Sequence, residues 1–167
     1  MNSSELVTII IPTCNQADYL SQAIESVLSQ DYIHLECIIL DDGSTDNTTE
    51  IIDRYKGRIC HVRHNNMGQS KTINKGFDMA NGKYIGYLSS DDVLKSNAVS
   101  TLVKALARSP EITVVYPDFE LIDSNSKYLR LVQTEEYNLK RLEIDLVCQP
   151  GPGALFSKET YKEVGGW

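Results

Sequence analysis

Leu35-Glu36-Cys37-Ile38-Ile39-Leu40-Asp41-Asp42-Gly43-Ser44-Thr45-Asp46, residues 35–46, is the stretch on which the fold turns. The run from Leu35 to Leu40 is apolar almost without alternation, then stops at two acids and a glycine. A strand with one wet face alternates, whereas a near-continuous apolar strand is covered on both faces, as in a parallel sheet. Four further runs are of the same kind: Val7 to Ile11, Ile59 to Val62, Tyr84 to Leu88 and Thr113 to Tyr116. Helical periods separate them. Leu20, Ala23, Ile24, Val27 and Leu28 share one face, as do Ile73, Gly76, Phe77 and Ala80, and again Val99, Leu102, Val103 and Leu106. A shorter helix is expected over Thr48–Tyr55, burying Ile51, Ile52 and Tyr55. Strand and helix alternate four times, which predicts an open α/β sheet of nucleotide-binding type over residues 6–108.

The 167 residues suit one domain, which at this length buries roughly 70% of the surface its unfolded chain exposes and needs no staple. The formal net charge of −7 leaves no broad basic footprint, so no nucleic-acid partner is expected. The N-terminus has no basic n-region, and its first apolar run meets Pro12 after six residues, so neither a signal peptide nor a membrane span is expected. Cys14, Cys37, Cys60 and Cys148 show no Cys-x-x-Cys spacing, and three lie in or beside apolar runs, where a free thiol packs as a small hydrophobe. That usage predicts a reducing, cytoplasmic setting. His34, His61 and His64 are scattered, with no partner at ligand spacing.

Beyond Pro110 the pattern loosens. Residues 116–122 read as strand, turn and strand, and Asp123–Lys127 as a turn closing a hairpin. A short helix is expected over Leu139–Val147, and Ser157-Lys158-Glu159-Thr160 reads as a cap opening another. The chain stops at Gly165-Gly166-Trp167, and it is expected to be a truncated piece of a longer protein.

Ligands of an open parallel sheet bind beyond the carboxyl ends of its strands. There stand Pro12-Thr13-Cys14-Asn15, Asp41-Asp42-Gly43-Ser44, Asn65 to Ser70, and Ser89-Ser90-Asp91-Asp92. Gly43, Ser44 and Asp46 fit a turn and helix cap, but Asp42 is free to accept a hydrogen bond from a base N–H. Asp91 and Asp92 stand side by side, and at about 4 Å with an effective dielectric near 20 their repulsion is on the order of 4 kcal/mol. Mg²⁺ or Mn²⁺ bridging to a diphosphate reverses that sign. A solvated cluster at a helix start is the plainer alternative. Gly68 permits close backbone approach, and Lys71 or Lys75 stands ready to neutralise a phosphate, against the plainer reading of exposed lysines beside a loop. Neither Gly-x-Gly-x-x-Gly, a P-loop nor a Gly-x-Ser-x-Gly elbow is present.

Taken together, Val7-Thr-Ile-Ile-Ile-Pro-Thr-Cys-Asn15, Leu20 to Gln30, Ile38-Ile-Leu-Asp-Asp-Gly-Ser-Thr-Asp-Asn-Thr48, Asn66-x-Gly68-x-Ser70, Asn74-x-Gly76, Ala80-x-Gly82-x-Tyr84-Ile85, Ser90-Asp91-Asp92, Gly153 to Lys158 and Val164-Gly-Gly-Trp167 resemble the family 2 glycosyltransferases. The resemblance implies a GT-A fold, that is, a Rossmann-like, mostly parallel open sheet flanked by helices, with a small hairpin region toward the C-terminus. Residues 1–110 would be the nucleotide-sugar-binding half, and 111–167 the start of the acceptor-side half of one domain. It implies an inverting transfer from a nucleotide-diphospho-sugar, a UDP-sugar first among the donors, to an unknown acceptor in polysaccharide or glycoconjugate synthesis. Family members often work at a membrane face. Pro12, Thr13, Asn15, Asp42, Gly68, Ser70, Lys71 and Asp91 are the implied donor-binding residues, with Asp92 and then Asp91 as metal ligands. Many members carry Asp in place of Ser89 and Arg in place of Ile73. The family's general base is a carboxylate after the Gly-Gly-Trp turn, so residues 1–167 are expected to bind donor yet transfer sugar poorly. A non-catalytic nucleotide-binding or interaction module is the alternative on the same fold.

Overall fold

The structure, a computed structural model, describes residues 4–109, 111–145 and 152–166. Four strand–helix pairs come first: β1 (Val7–Thr13), α1 (Ala17–Leu28), β2 (Leu35–Asp42), α2 (Thr48–Asp53), β3 (Cys60–His64), α3 (Gln69–Met79), β4 (Tyr84–Tyr87) and α4 (Ala98–Leu106). Then follow β5 (Val114–Val115), the hairpin β6 (Phe119–Ile122) and β7 (Tyr128–Val132), α5 (Leu139–Asp145), β8 (Leu155–Ser157) and α6 (Lys158–Val164). Six strands form one sheet in the order β3-β2-β1-β4-β8-β5. β1 pairs parallel with β2 and β4, and β2 parallel with β3; β8 runs antiparallel to both its neighbours. None of the helices among the described residues is long and apolar enough to cross a membrane.

The unbroken apolar strands are explained by the two layers that cover them. Alternation sends Val7, Ile9, Ile11, Cys37 and Ile39 to a core shared with α1, α2 and α4. Ile10, Ile38, Leu40 and Ile85 turn to the opposite core, where Ile73 and Phe77 of α3 meet Tyr161 of α6. At full burial each large aliphatic side chain contributes about 1.5–3 kcal/mol. α3 lies close on the sheet because residue 76 is glycine. A Cβ there would sit 2.7 Å from Ile10 Cδ1 and 2.8 Å from Leu40 Cδ1. Phe77 packs edge-on against both Phe156 and Tyr161, which anchors β8 and α6 to this layer.

Several local expectations change. α2 ends at Asp53, and Ile51 is only partly covered, while Ile52 and Tyr55 are buried as expected. β5 keeps only two residues of the expected Thr113–Tyr116 strand, because its one partner, β8, is three residues long. Cys37 is buried, and that burial pushes its thiol up to about 12. Cys60 is exposed rather than packed, since β3 is the sheet's edge strand. Cys148, Gly151 and Trp167 lie outside the described residues. The hairpin closes at Asp123–Lys127 as read, and Ser157 caps α6 by accepting the Thr160 amide at 3.0 Å.

At the amino ends of the strands, Glu36 ties three segments together. Its carboxylate accepts the Thr8 hydroxyl at 2.5 Å, the Asn81 amide at 2.9 Å and the Asn81 side-chain Nδ2 at 2.7 Å. Burial works against its charge, but the Asn81 and Thr8 donors and the Lys158 charge hold the carboxyl below its usual value. A lowered folded value gives stability that is present above the unfolded value and lost as pH falls through the folded one. Glu36→Gln keeps one acceptor oxygen but turns an NH₂ toward a donor; counted from its hydrogen bonds and discounted for the site's exposure, it is expected to cost about 1 kcal/mol at neutral pH. The difference from wild type should vanish in acid, which thermal melts across pH would read.

Candidate functional site

The chain order reverses at β1. Helical connections step from β1 to β2 and β3 on one side, and the α3 connection returns to β4 on the other. A crevice opens at such a reversal because the two adjacent loops leave in opposite directions. Here a cleft of about 430 Å³ is lined by Pro12, Thr13, Cys14, Gln16, Asp42, Asn66, Gly68, Gln69, Thr72, Ser89, Ser90 and Asp91.

Strand alternation separates the two acids that end β2. Asp41 shares the face of Cys37 and Ile39, and Asp42 that of Ile38 and Leu40. Each organises the loop on its own side. Asp41 Oδ1 accepts the Ser44 amide at 2.8 Å, and Oδ2 lies 3.5 Å from Arg63 Nε. Arg63 also donates to the Ser44 carbonyl at 2.6 Å and to Thr49 Oγ1 at 2.9 Å. Asp42, 5% exposed, accepts the Met67 amide at 2.7 Å and the Gly68 amide at 3.1 Å, one on each oxygen. His64 Nδ1 lies 3.3 Å from Asp42 Oδ1 and 3.0 Å from the Asn65 carbonyl oxygen. With acceptors on both sides, that nitrogen carries the hydrogen. Oδ2, which takes only the Gly68 amide, retains a lone pair, so the carboxylate fixes the loop before α3 and still presents an acceptor to the cleft.

Asn15 adopts a left-handed backbone with φ of 55° and staples two loops together. Its amide donates to Ser44 Oγ at 2.9 Å, and its Oδ1 accepts the Thr45 and Asp46 amides at 2.8 Å and 3.3 Å. Asp46 accepts the Thr48 amide at 3.0 Å and the Ala17 amide at 3.1 Å, serving the starts of both α2 and α1. The Thr48 side chain first, with the Thr48 and Ala17 amides behind it, holds the Asp46 carboxyl below the usual range against a small opposing effect of burial. Gly43, at φ of 78°, leaves room for Asn66, whose amide nitrogen would be 2.8 Å from an added Cβ. Gly43→Ala is expected to destabilise the fold by about 2–4 kcal/mol, from the left-handed backbone and the clash together. Chemical denaturation would measure it, and an unchanged midpoint would contradict the packing.

Asp91 is exposed on the cleft wall. Asp92 is partly buried, and burial first, then the Asp91 charge, raises its carboxyl above the usual value. The helix-start account of this pair does not hold. α4 begins at Ala98, whereas Asp91 and Asp92 sit in the turn where the Asp92 amide donates to the Ser89 carbonyl at 3.0 Å. Among the described residues no cluster of three or more His, Cys, Asp or Glu stands ready for a metal. Asp91 and Asp92, whose charges repel each other and which have no ion pair among the described residues, nevertheless fit a hard dication that takes its other oxygens from phosphate and water.

Of the residues singled out from sequence, Pro12, Thr13, Asp42, Gly68 and Asp91 line one cleft. Asn15 stands behind it as a staple, Ser70 and Lys71 are exposed on the first turn of α3, and Asp92 follows Asp91 without lining the cleft. Sequence reasoning passed over Gln16, Thr72 and the placement of His64. A threonine on an amphipathic helix, a glutamine just before one, or a histidine ending an edge strand gives no signal until its neighbours are known.

The model of the family described as "Glycosyl transferase family 2" matches residues 8–165. An uncharacterized glycosyltransferase of Rickettsia prowazekii is 37% identical over 145 residues, 86% of this chain and 46% of that protein. S. aureus TarS 1–349 in complex with UDP-GlcNAc superposes with a TM-score of 0.77 at 20% identity, covering 95% of this chain and 47% of that one. A mannosyltransferase from Pyrobaculum calidifontis, in complex with GDP-Man and Mn²⁺, gives 0.70 at 18%, covering 98% and 47%. The chain thus spans about half the length of these relatives. The sheet order, the helices on both faces and these likenesses establish the GT-A fold, and with the matched span they show that the chain belongs to glycosyl transferase family 2.

Proposed function

We propose that the cleft binds the nucleotide of a nucleotide-diphospho-sugar and that the protein transfers the sugar, with inversion, to an acceptor hydroxyl in polysaccharide or glycoconjugate synthesis. The observation that carries the reading is the meeting of Asp42 and Asp91 across one cleft at the reversal of strand order. Asp42 accepts a base N–H, with its position already fixed by the Met67 and Gly68 amides. Pro12 and Thr13 form the wall at the end of β1. Gly68, without a Cβ, lets the diphosphate approach the start of α3, where free amides and the helix dipole favour negative charge. Ser70 and Lys71 lie on that first turn, and the Lys71 ammonium adds a positive charge to it. Asn15 acts by holding the nucleoside-side loops together.

Asp91 and Asp92 would hold Mg²⁺ or Mn²⁺. Such an ion, when bound, stabilises the negative charge that develops on the departing diphosphate. Inversion requires a single displacement from the face opposite the leaving group, with the acceptor proton passing to a carboxylate base. That base is expected after the sequence Gly165-Gly166-Trp167. Bound UDP-GlcNAc and GDP-Man in the two structural neighbours support a nucleotide-sugar donor, and a UDP-sugar stands first because the neighbour with the higher TM-score of the two carries one.

Calorimetric titration with UDP, GDP and dTDP, with and without Mn²⁺, tests the reading. Metal-dependent binding of one nucleotide supports it. Failure to bind any of the three overturns it and favours an interaction module.

A further inference from the structure

α3 holds a buried hydroxyl that the fold itself does not use. Thr72 is 0% exposed, and its Oγ1 has no hydrogen-bond partner among the described residues. Thr48 of α2 is likewise buried with no hydrogen-bond partner for its Oγ1 among the described residues, but it does not line the cleft, and other hydroxyls on or at the ends of helices bond back to the backbone. Ser29 donates back to the Glu25 carbonyl at 2.7 Å, and Thr101 to the Asn97 carbonyl at 2.7 Å, the usual refuge of a helical Ser or Thr. At Thr72 the equivalent carbonyl, Gly68, takes the Thr72 amide at 3.1 Å just as Glu25 and Asn97 take the amides of Ser29 and Thr101, yet here the hydroxyl does not join it. Thr72 instead forms part of the cleft wall with Asp42, Gly68 and Thr13. Thr13, 3% exposed, carries a second unpartnered hydroxyl on the same cleft. A buried polar atom without a partner costs stability, so its retention beside a cleft is explained when a ligand supplies the partner.

Resting on the donor reading above, we infer that Thr72 is a donor-contacting residue whose hydroxyl donates a hydrogen bond to an acceptor oxygen of the bound nucleotide. The direction follows from the chemistry of the two sides. Nucleoside diphosphates are rich in acceptors, since phosphate oxygens only accept at neutral pH and a pyrimidine dione presents a carbonyl on either side of its N–H. The neighbouring Asp42 carboxylate is acceptor-only and takes the N–H, which leaves a carbonyl or phosphate oxygen to be met by a hydroxyl.

The test uses Thr72→Val, which keeps the shape and deletes the hydroxyl, with Thr72→Ser and Thr72→Ala beside it. Binding of UDP and of uridine is measured by calorimetry, and stability by thermal melting without ligand. Thr72→Val is expected to weaken UDP binding about ten-fold or more while raising the melting temperature by roughly 2–4 °C. Thr72→Ser should restore affinity to within about three-fold of wild type. An equal loss on uridine identifies the acceptor as a base carbonyl, and a loss confined to UDP identifies a phosphate oxygen; both support the assignment. Wild-type UDP affinity, within two-fold, in both Thr72→Val and Thr72→Ala overturns it while leaving the donor reading standing. A wild-type protein that binds no nucleotide overturns both.

Discussion

Asp42→Ala is expected to lower the melting temperature by roughly 6–12 °C and to weaken UDP binding at least about 100-fold. The two effects share one cause. The Asp42 carboxylate is almost fully buried and bonds the Met67 and Gly68 amides through separate oxygens, with His64 at 3.3 Å. Removing it strands two backbone donors, at about 1.5–3 kcal/mol for each charge-assisted bond. It also frees the loop that sets the position of α3. Asp42→Asn should fall between wild type and alanine, since one oxygen still accepts while the new NH₂ group faces an amide donor. Thermal melts and UDP titrations on the three proteins check this. If the melting temperature of Asp42→Ala matches wild type, the bonds to Met67 and Gly68 are not what holds the loop.

Asp92→Asn should separate stability from binding in the opposite sense. Burial and the Asp91 charge raise the Asp92 carboxyl above its ordinary value of 3.8. The folded state therefore holds this proton more tightly than the unfolded chain does. Its stabilising contribution is complete below the unfolded value and is lost as pH rises through the raised folded one. Asparagine removes that loss, so the variant without metal should be as stable as wild type at neutral pH, or more so. Under the proposed function a cation needs the ionised carboxylate, and Mn²⁺-supported nucleotide affinity should drop about 100-fold or more. For the same reason the wild type's apparent Mn²⁺ affinity should fall as pH drops through the raised Asp92 value. Calorimetry across pH reads the second effect and thermal melting the first. A variant that keeps its Mn²⁺ response would remove Asp92 from the metal site.

The sheet centre was legible because its strands are buried on both faces. Val7–Ile11 and Leu35–Leu40 admit no half-wet alternative, and the helices between them keep one apolar stripe each. The acids were legible as unusual but not as to direction. Asp41 and Asp42 are simply adjacent acids in sequence, yet the pleat turns them to opposite layers with different partners. Asn15 stood out because it follows a strand, but which group it would bond depended on the next loop lying alongside. β8 escaped notice because three residues carry no period, and its pairing partner, β4, lies about seventy positions earlier in the chain.

Local composition alone determined the strands β1 to β4 and the helices α1 to α4, and that polar groups would gather at the carboxyl ends of those strands. Those outcomes depend on periods of two and 3.6 residues, which are properties of neighbours along the chain. Tertiary structure alone decided the insertion of β8 between β4 and β5, the Met67 and Gly68 amides as the partners of Asp42, and the isolation of the Thr72 hydroxyl. Each is a relation between residues far apart in sequence, set by how the layers pack, and no local pattern encodes the distance between them.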